Sequence, residues 1–258
     1  DCTVKKLNGQ PFQITHERMD EETRLGITQA LRFKENWEGD IDFQTSRGNL
    51  IPVRLSISIV HSENQAYGQY VLMLTDIKTR KAAEQRLHQL ANYDTLTGIA
   101  NRSMLQSRLH QAIARAKRHQ NECAVLFIDL NKFKPVNDQY GHEFGDHLLI
   151  QVADRLKHLM REIDTVARLG GDEFVVIVED IDQIQIVEDV AERIIEAIGQ
   201  PYTINEITIN ISCSIGISLY PHDGKDDIEL TRSADIAMYA AKSSGEGRHY
   251  FFNRRLTN

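Results

Sequence analysis

The 258-residue chain has few cysteines, no surplus of positive charge and no long apolar run. Each absence removes a class of protein. Cys2, Cys123 and Cys213 are odd in number and far apart. They form neither a disulfide framework nor a zinc spacing, and they favour a reducing cytoplasm. The best apolar stretches, Ala124–Ile128 and Val175–Val178, are strand-length, against the ~18 residues that cross a membrane. No leader-like segment opens the sequence. Lys+Arg number 30 and Asp+Glu 37, a formal net charge of −7. That balance argues against sequence-independent binding of polymeric nucleic acid, which runs on phosphate neutralisation, but leaves room for a small phosphorylated ligand with its own metal. No glycine-rich loop ends in Lys-Ser or Lys-Thr, so a Walker-type nucleotide site is excluded. His142-Glu143 with Asp146-His147 lacks the fourth-residue histidine of a zinc protease helix, and Gly145 would weaken such a helix. Residue 1 is Asp rather than Met, and patterned sequence follows at once, so the chain reads as an excerpt from a longer protein.

What remains is a globular composition, 41% hydrophobic and 26% charged, sufficient for one large domain or two ordinary ones. Ile41, Phe43 and Thr45 alternate with polar residues, Ser46-Arg47-Gly48-Asn49 reads as a turn, and Ile51 to Ile59 continues the two-residue period. With a third strand at Tyr70–Thr75, these predict an antiparallel sheet with one buried face. From Asp76 to Tyr93 the composition turns helix-forming, with Ala83, Leu87 and Leu90 spaced as along a coiled-coil seam. The organisation predicted is therefore a domain over 1–75, a helical linker over 76–93 and a second domain over 94–258.

In the second domain helix and strand signals alternate. Leu105 to Ala116, Leu148 to Leu159, Val187 to Ile198 and Leu230 to Ala241 carry helical periods. Ala124–Leu130 reads as a buried strand, Val166–Leu169 and Phe174–Glu179 as a hairpin around Gly170-Gly171, Ile207–Leu219 as one long strand, and Tyr250–Phe252 as a closing one. The fold class predicted is α+β.

Three clusters carry chemistry. Phe127-Ile128-Asp129-Leu130-Asn131-Lys132-Phe133-Lys134 places a carboxylate at the end of a buried strand, with a turn and lysines after it. Asn137-Asp138 is followed by Gly141-His142-Glu143-Phe144-Gly145-Asp146, and Gly170-Gly171-Asp172-Glu173-Phe174 forms the hairpin tip. If the strand lies beside the hairpin, Asp129 and Asp172 converge at one sheet edge, as Mg²⁺ requires. Taken singly, each cluster also reads as an ordinary turn or cap.

These clusters, preceded by Asp94-Thr95-Leu96-Thr97-Gly98-Ile99-Ala100-Asn101-Arg102, together resemble the GGDEF family of diguanylate cyclases, which join two GTP molecules into cyclic di-GMP. The resemblance covers roughly residues 92 to 252 and implies a fold like the palm of nucleotide cyclases and polymerases. Position by position it implies that Asp129, the Leu130 carbonyl and Asp172 ligate Mg²⁺ (or Mn²⁺), with Asp172 also the base for the attacking ribose hydroxyl and Glu173 supporting the metal site. Backbone N–H groups around Lys132 and Phe133 suit a phosphate chain, and Lys134 would neutralise charge in the transition state. Asn137, His142 and Asp146 would hold the base and sugar, Asp146 accepting guanine donors and an amide meeting the guanine acceptor. Lys242 would touch the phosphates. Arg161 and Asp164, an Arg-x-x-Asp upstream of the hairpin, match an inhibitory product site for cyclic di-GMP, with Arg193 as a basic residue that bound product would bridge to. The Arg-x-x-Asp alone also reads as a helix-end pair.

Two residues depart from the family pattern: Asn131 stands where a second aspartate is common, and Glu246 where a basic residue usually meets the terminal phosphates, with Arg248 as its possible substitute. The amino-terminal part resembles the later portion of a PAS sensor domain, through Trp37-Glu38-Gly39-Asp40, Arg47-Gly48-Asn49 and Thr75-Asp76-Ile77 before Arg80-Lys81. It lacks a flavin-type cysteine motif, and His16 in its polar stretch reads as a surface residue rather than a haem ligand. The expectation is a cytoplasmic, PAS-regulated, product-inhibited cyclase that works as a homodimer without membrane contact of its own. The alternatives are a receptor that binds cyclic di-GMP or GTP without turnover and a regulatory module of a larger signalling protein.

Overall fold

A computed structural model of the chain describes residues 21–33, 36–44, 48–60 and 69–252. His16, Thr45, Ser46 and Arg47 of the sequence reading lie outside them. The described residues form two compact units that divide between Arg86 and Leu87.

The first unit holds α1 (Glu21–Phe33), β1 (Trp37–Gln44), β2 (Leu50–Val60) and β3 (Gln69–Asp76), the strands antiparallel in the order β1-β2-β3. Alternation does its expected work on β1 and β2, where Ile41, Val53, Leu55 and Ile57 are buried with Ile27 of α1. It fails on β3. Leu72 and Leu74, opposite Ile57 and Leu55, remain 37% and 40% exposed. The reason is placement: α1 packs on β1, at the opposite edge of the sheet from β3. Asp76 accepts the Lys78 N–H at 2.8 Å and caps α2 (Lys78–Asn92), which begins in the first unit and ends in the second. Leu87 and Leu90 lie exposed on it.

The second unit continues with α3 (Arg102–His119), β4 (Glu122–Asn131), α4 (Phe133–Tyr140), α5 (His142–Leu159), β5 (Thr165–Gly170), β6 (Glu173–Ile181) and α6 (Ile184–Gly199). After these come β7 (Tyr202–Ile204), β8 (Ile207–Ile209), β9 (Ser212–Tyr220), α7 (Asp227–Ser244) and β10 (Arg248–Phe251). The sheet order is β10-β9-β4-β6-β5, with only the β10–β9 pair parallel. β4 is central and buried on both faces, which is why its apolar run is unbroken from Ala124 to Ile128. Val125 and Phe127 pack with α3 and α7; Leu126, Ile128 and Leu130 pack with α5 and α6. This is the expected α+β arrangement.

The single strand predicted over 207–219 is two strands. Asn205 and Glu206 take left-handed φ values of 49° and 67°, so β8 turns back onto β7, while β9 joins the main sheet. Apolar alternation passes through Asn210-Ile211 unchanged and so carries no sign of the change of partner. No helix among the described residues is long and apolar enough to cross a membrane.

Candidate active site

β4 and β6 run antiparallel, with Asp129 opposite Glu173, and the Leu130 N–H donates to the Asp172 carbonyl at 3.3 Å. The hairpin tip therefore lies against the end of the central strand, and Asp129 and Asp172 share one edge. Asp129 is only 8% exposed. An isolated carboxylate there would be costly, and Lys242 answers it: its Nζ stands 2.6 Å from Asp129 Oδ1. Lys242 reaches that far because α7 lies directly on β9. Gly216 makes this close approach possible, since a Cβ on it would overlap the Ala234 carbonyl and the Met238 nitrogen.

Burial, and after it the Asp129 carboxylate, push the Asp172 carboxyl above the usual carboxylate range. A carboxylate at a strand end and another on the adjoining hairpin turn, with a lysine already drawn in, make a cation-seeking site. The donor set fits a hard divalent ion: two carboxylates and the Leu130 carbonyl, the remaining positions left to water and phosphate. Among the described residues no group of three or more His, Cys, Asp or Glu side chains is placed to hold a metal ion.

Next to this edge, Lys132 turns the chain from β4 into α4 with a left-handed φ of 62°, and no side chain caps the helix. Pro135 has no N–H, and the Val136 N–H is taken by the Lys132 carbonyl. The backbone N–H groups of Phe133 and Lys134 thus have no acceptor among the described residues, a pair fit for an anion. Phe133 itself is buried, and the Lys134 side chain is exposed beside it.

α4 and α5 meet at Gly141. Asn137 of α4 faces Gly145 of α5 so closely that a Cβ on Gly145 would overlap Asn137 Oδ1 and come within 2.9 Å of its Cγ. That Oδ1 is buried and has no hydrogen-bond partner among the described residues. A buried acceptor without a donor is costly, so a ligand N–H is the natural occupant. Exposed His142 and Asp146 stand on the first two turns of α5.

A Diguanylate cyclase, GGDEF domain model matches residues 91–248. The chain belongs to the GGDEF family. MucR of Pseudomonas aeruginosa, a bifunctional diguanylate cyclase/cyclic di-GMP phosphodiesterase, is 44% identical over 207 residues, covering 80% of this chain and 29% of MucR. The cyclic di-GMP phosphodiesterase PdeR of Escherichia coli is 40% identical over 182 residues, 70% of this chain and 27% of PdeR. The chain thus spans under a third of the length of these relatives. Among solved structures, the GGDEF domain of TpbB from Pseudomonas aeruginosa superposes with a TM-score of 0.63 at 37% identity, over 64% of this chain and 96% of that one.

Within this GGDEF domain, the residues predicted from sequence separate into neighbourhoods. Glu173 shares a sheet face with Asp129 but lines a cavity of about 400 Å³ with Arg102, Asp227 and Asp235. Burial, then Asp235, raise its carboxyl above the ordinary range. Arg161 and Asp164 line a second cavity of about 410 Å³. Asp164 Oδ2 accepts the Arg161 N–H at 3.0 Å and Oδ1 the Glu179 N–H at 3.2 Å. A carboxylate offers about four acceptor sites, so two remain. Arg193 does not line this cavity: it donates to the Leu159 carbonyl at 3.1 Å and ties α6 to the end of α5. The basic residues that line it beside Arg161 are Arg108 and Lys157, on α3 and α5, which spacing in the chain does not connect. Arg248 opens β10 beside Tyr250.

Arg168, which sequence reasoning missed, braces the tip. Its Nε and one terminal nitrogen donate to the Gly171 carbonyl at 2.9 and 2.8 Å, and the other terminal nitrogen donates to Asp94 Oδ1 at 3.0 Å. Asp94 also accepts from the Thr97 N–H and hydroxyl, while Asn101 Nδ2 donates to the Ala91 carbonyl at the end of α2. The Asp94–Arg102 run is therefore a brace between helix α2 and the Gly170–Phe174 hairpin. Its signal in the sequence was an arginine two residues before Gly170, legible only once the pairing is known.

Proposed function

We propose that this chain is a diguanylate cyclase unit, condensing two GTP molecules into cyclic di-GMP with release of pyrophosphate. The observation that carries the reading is the convergence of Asp129 and Asp172 beside the uncapped turn of α4. Asp129, Asp172 and the Leu130 carbonyl would hold Mg²⁺ (or Mn²⁺), which would polarise the α-phosphate and offset the triphosphate charge. The Phe133 and Lys134 N–H groups cradle phosphate oxygens, and the Lys134 and Lys242 ammonium groups balance charge that builds on them. Asp172, held high by burial and by Asp129, is suited to take the proton of the attacking ribose hydroxyl. Asn137 Oδ1 and Asp146 accept guanine N–H groups, for which adenine has no equivalent pair, and His142 flanks the sugar. Glu173 supports the metal edge from the same sheet face.

One site holds one GTP, and each GTP attacks the other, so a two-fold dimer is the working unit. Leu87 and Leu90, exposed on α2, are suited to the pairing seam. The amino-terminal unit is the proposed PAS-like sensor, and α2 with its Asp94–Arg168 brace is its route to the hairpin. The 1–75, 76–93 and 94–258 division belongs to this proposal. Incubation with Mg²⁺ and GTP, with nucleotides resolved by chromatography, should give cyclic di-GMP; GTP left intact overturns the cyclase reading. A second reading, a regulatory module that binds GTP or cyclic di-GMP without turnover, is favoured by Glu246 at the phosphate mouth and by the phosphodiesterase relative. Tight binding without product in that assay selects it.

Cyclic di-GMP is the proposed ligand of the Arg161–Asp164 cavity, whose size falls within the ~300–1,000 Å³ of ligand clefts. The Arg161 guanidinium can grip a guanine edge or phosphate in two places, and Asp164 has acceptor sites to spare. Arg161→Ala should weaken product binding by roughly 1–3 kcal/mol and raise the product level at which turnover stalls. Progress curves with and without added cyclic di-GMP measure this. Identical slowing in both proteins makes the Arg-x-x-Asp an ordinary helix-end pair.

A further inference from the structure

Asn131 and Glu246, the two departures from the family pattern, meet through one hydroxyl. Asn131 Nδ2 donates to Ser212 Oγ at 3.1 Å, and Ser212 Oγ donates to Glu246 Oε2 at 3.2 Å. On the inner side, Ser214 Oγ donates to Asn131 Oδ1 at 3.1 Å. The other carboxylate oxygen of Glu246 lies 2.7 Å from Lys132 Nζ. A serine hydroxyl has one hydrogen to give. With aspartate at 131, Ser212 would stand between two carboxylates and could serve only one. Asparagine at 131 leaves that hydrogen to Glu246, so the two departures belong to a single arrangement.

The arrangement sits on the phosphate turn. Lys132 heads it, and the Lys132 and Glu246 side chains are 69% and 51% exposed. Ion pairs this open contribute little to folding, so stability does not account for the pair. Of the three lysines near the turn, Lys132 is held by Glu246 and Lys242 by Asp129. The two holds differ. Asp129, if it held Mg²⁺, would no longer need Lys242, which would be free for the phosphates, whereas Glu246 would still need Lys132.

We propose that the Lys132–Glu246 pair is a gate on the outer phosphates: it withholds one ammonium from the terminal phosphates of GTP and from pyrophosphate, so the site grips both loosely and clears pyrophosphate readily. The proposal rests on the cyclase reading above and assigns a residue pair that sets substrate and product affinity at that site.

The test is calorimetric binding of Mg²⁺-pyrophosphate, of a non-reacting GTP analogue with Mg²⁺ and of GMP to the full chain, as wild type, Glu246→Gln and Glu246→Gln with Lys132→Ala. Glu246→Gln should bind pyrophosphate and the GTP analogue about three- to tenfold tighter, with GMP unchanged because it lacks outer phosphates. Adding Lys132→Ala should return both affinities toward wild type, since the freed ammonium supplies the gain. Equal affinities in wild type and Glu246→Gln overturn the gate. A double variant as tight as Glu246→Gln also overturns it, by assigning the gain to lost repulsion alone. Failure of every protein to bind the GTP analogue overturns the cyclase reading and the gate with it, an outcome distinct from binding that ignores residue 246.

Discussion

Asp129→Asn and Asp172→Asn should each lower cyclic di-GMP formation by at least about a thousandfold, because charge neutralisation and positioning are nearly all that phosphoryl transfer asks of the protein. Folding should not suffer. Asp172 is raised by burial and then by Asp129, so its ionised form is disfavoured in the native state. For a carboxyl raised in this way the sign is definite: the native state binds the proton more tightly, and stability declines as pH climbs from the unfolded toward the folded value. At neutral pH the wild type carries that penalty and Asp172→Asn does not. Its unfolding midpoint at pH 7 should equal or exceed that of wild type. In Asp129→Asn, the Lys242 ammonium is 44% exposed and can turn to water. Product assays beside thermal unfolding separate the two effects. A variant with both changes that still makes product would sink the assignment of the metal edge.

How much of this site could be read from sequence depends on whether each residue acts near its own chain neighbours. Asp129, Leu130, Phe133 and Lys134 follow one another through a strand end and the next helix, and Gly170–Phe174 is a local hairpin, so their grouping was legible. Lys242 was named from the family motif, but its grip on Asp129 depends on α7 lying on Gly216. Glu246 looked like an uncompensated repulsion because Lys132 and Ser212 lie over a hundred and over thirty residues away in the chain. Arg193 enters the sequence reading only as a basic residue elsewhere that bound product would bridge to. In the fold its guanidinium satisfies a helix-end carbonyl, a role that spacing cannot distinguish from ligand binding. The same limit broke the long strand at Asn210-Ile211 and left β3 exposed: periodicity gives the face of a strand, never its partner or what covers it.

Gly145→Ala should weaken GTP binding by about ten- to a hundredfold, the scale of one lost base-specific contact, although glycine to alanine within a helix ordinarily adds about 1 kcal/mol of stability. The opposition of these effects makes the variant informative. Gly145 lies inside α5 with no positive φ, so its backbone has no need of glycine. What needs glycine is Asn137: an added Cβ would overlap Asn137 Oδ1 and lie 3.2 Å from Phe133 Cζ, and the amide is the part able to move. Displacing it removes the buried acceptor proposed for guanine and leaves Asp129 and Asp172 in place. Pyrophosphate binding should therefore persist while GTP binding falls. Asn137→Ala should show the same loss, and combining the two should add little, because both remove one contact. A Gly145→Ala protein that binds GTP like wild type would show that Asn137 does not read the base, and that the tight fit between α4 and α5 is packing alone.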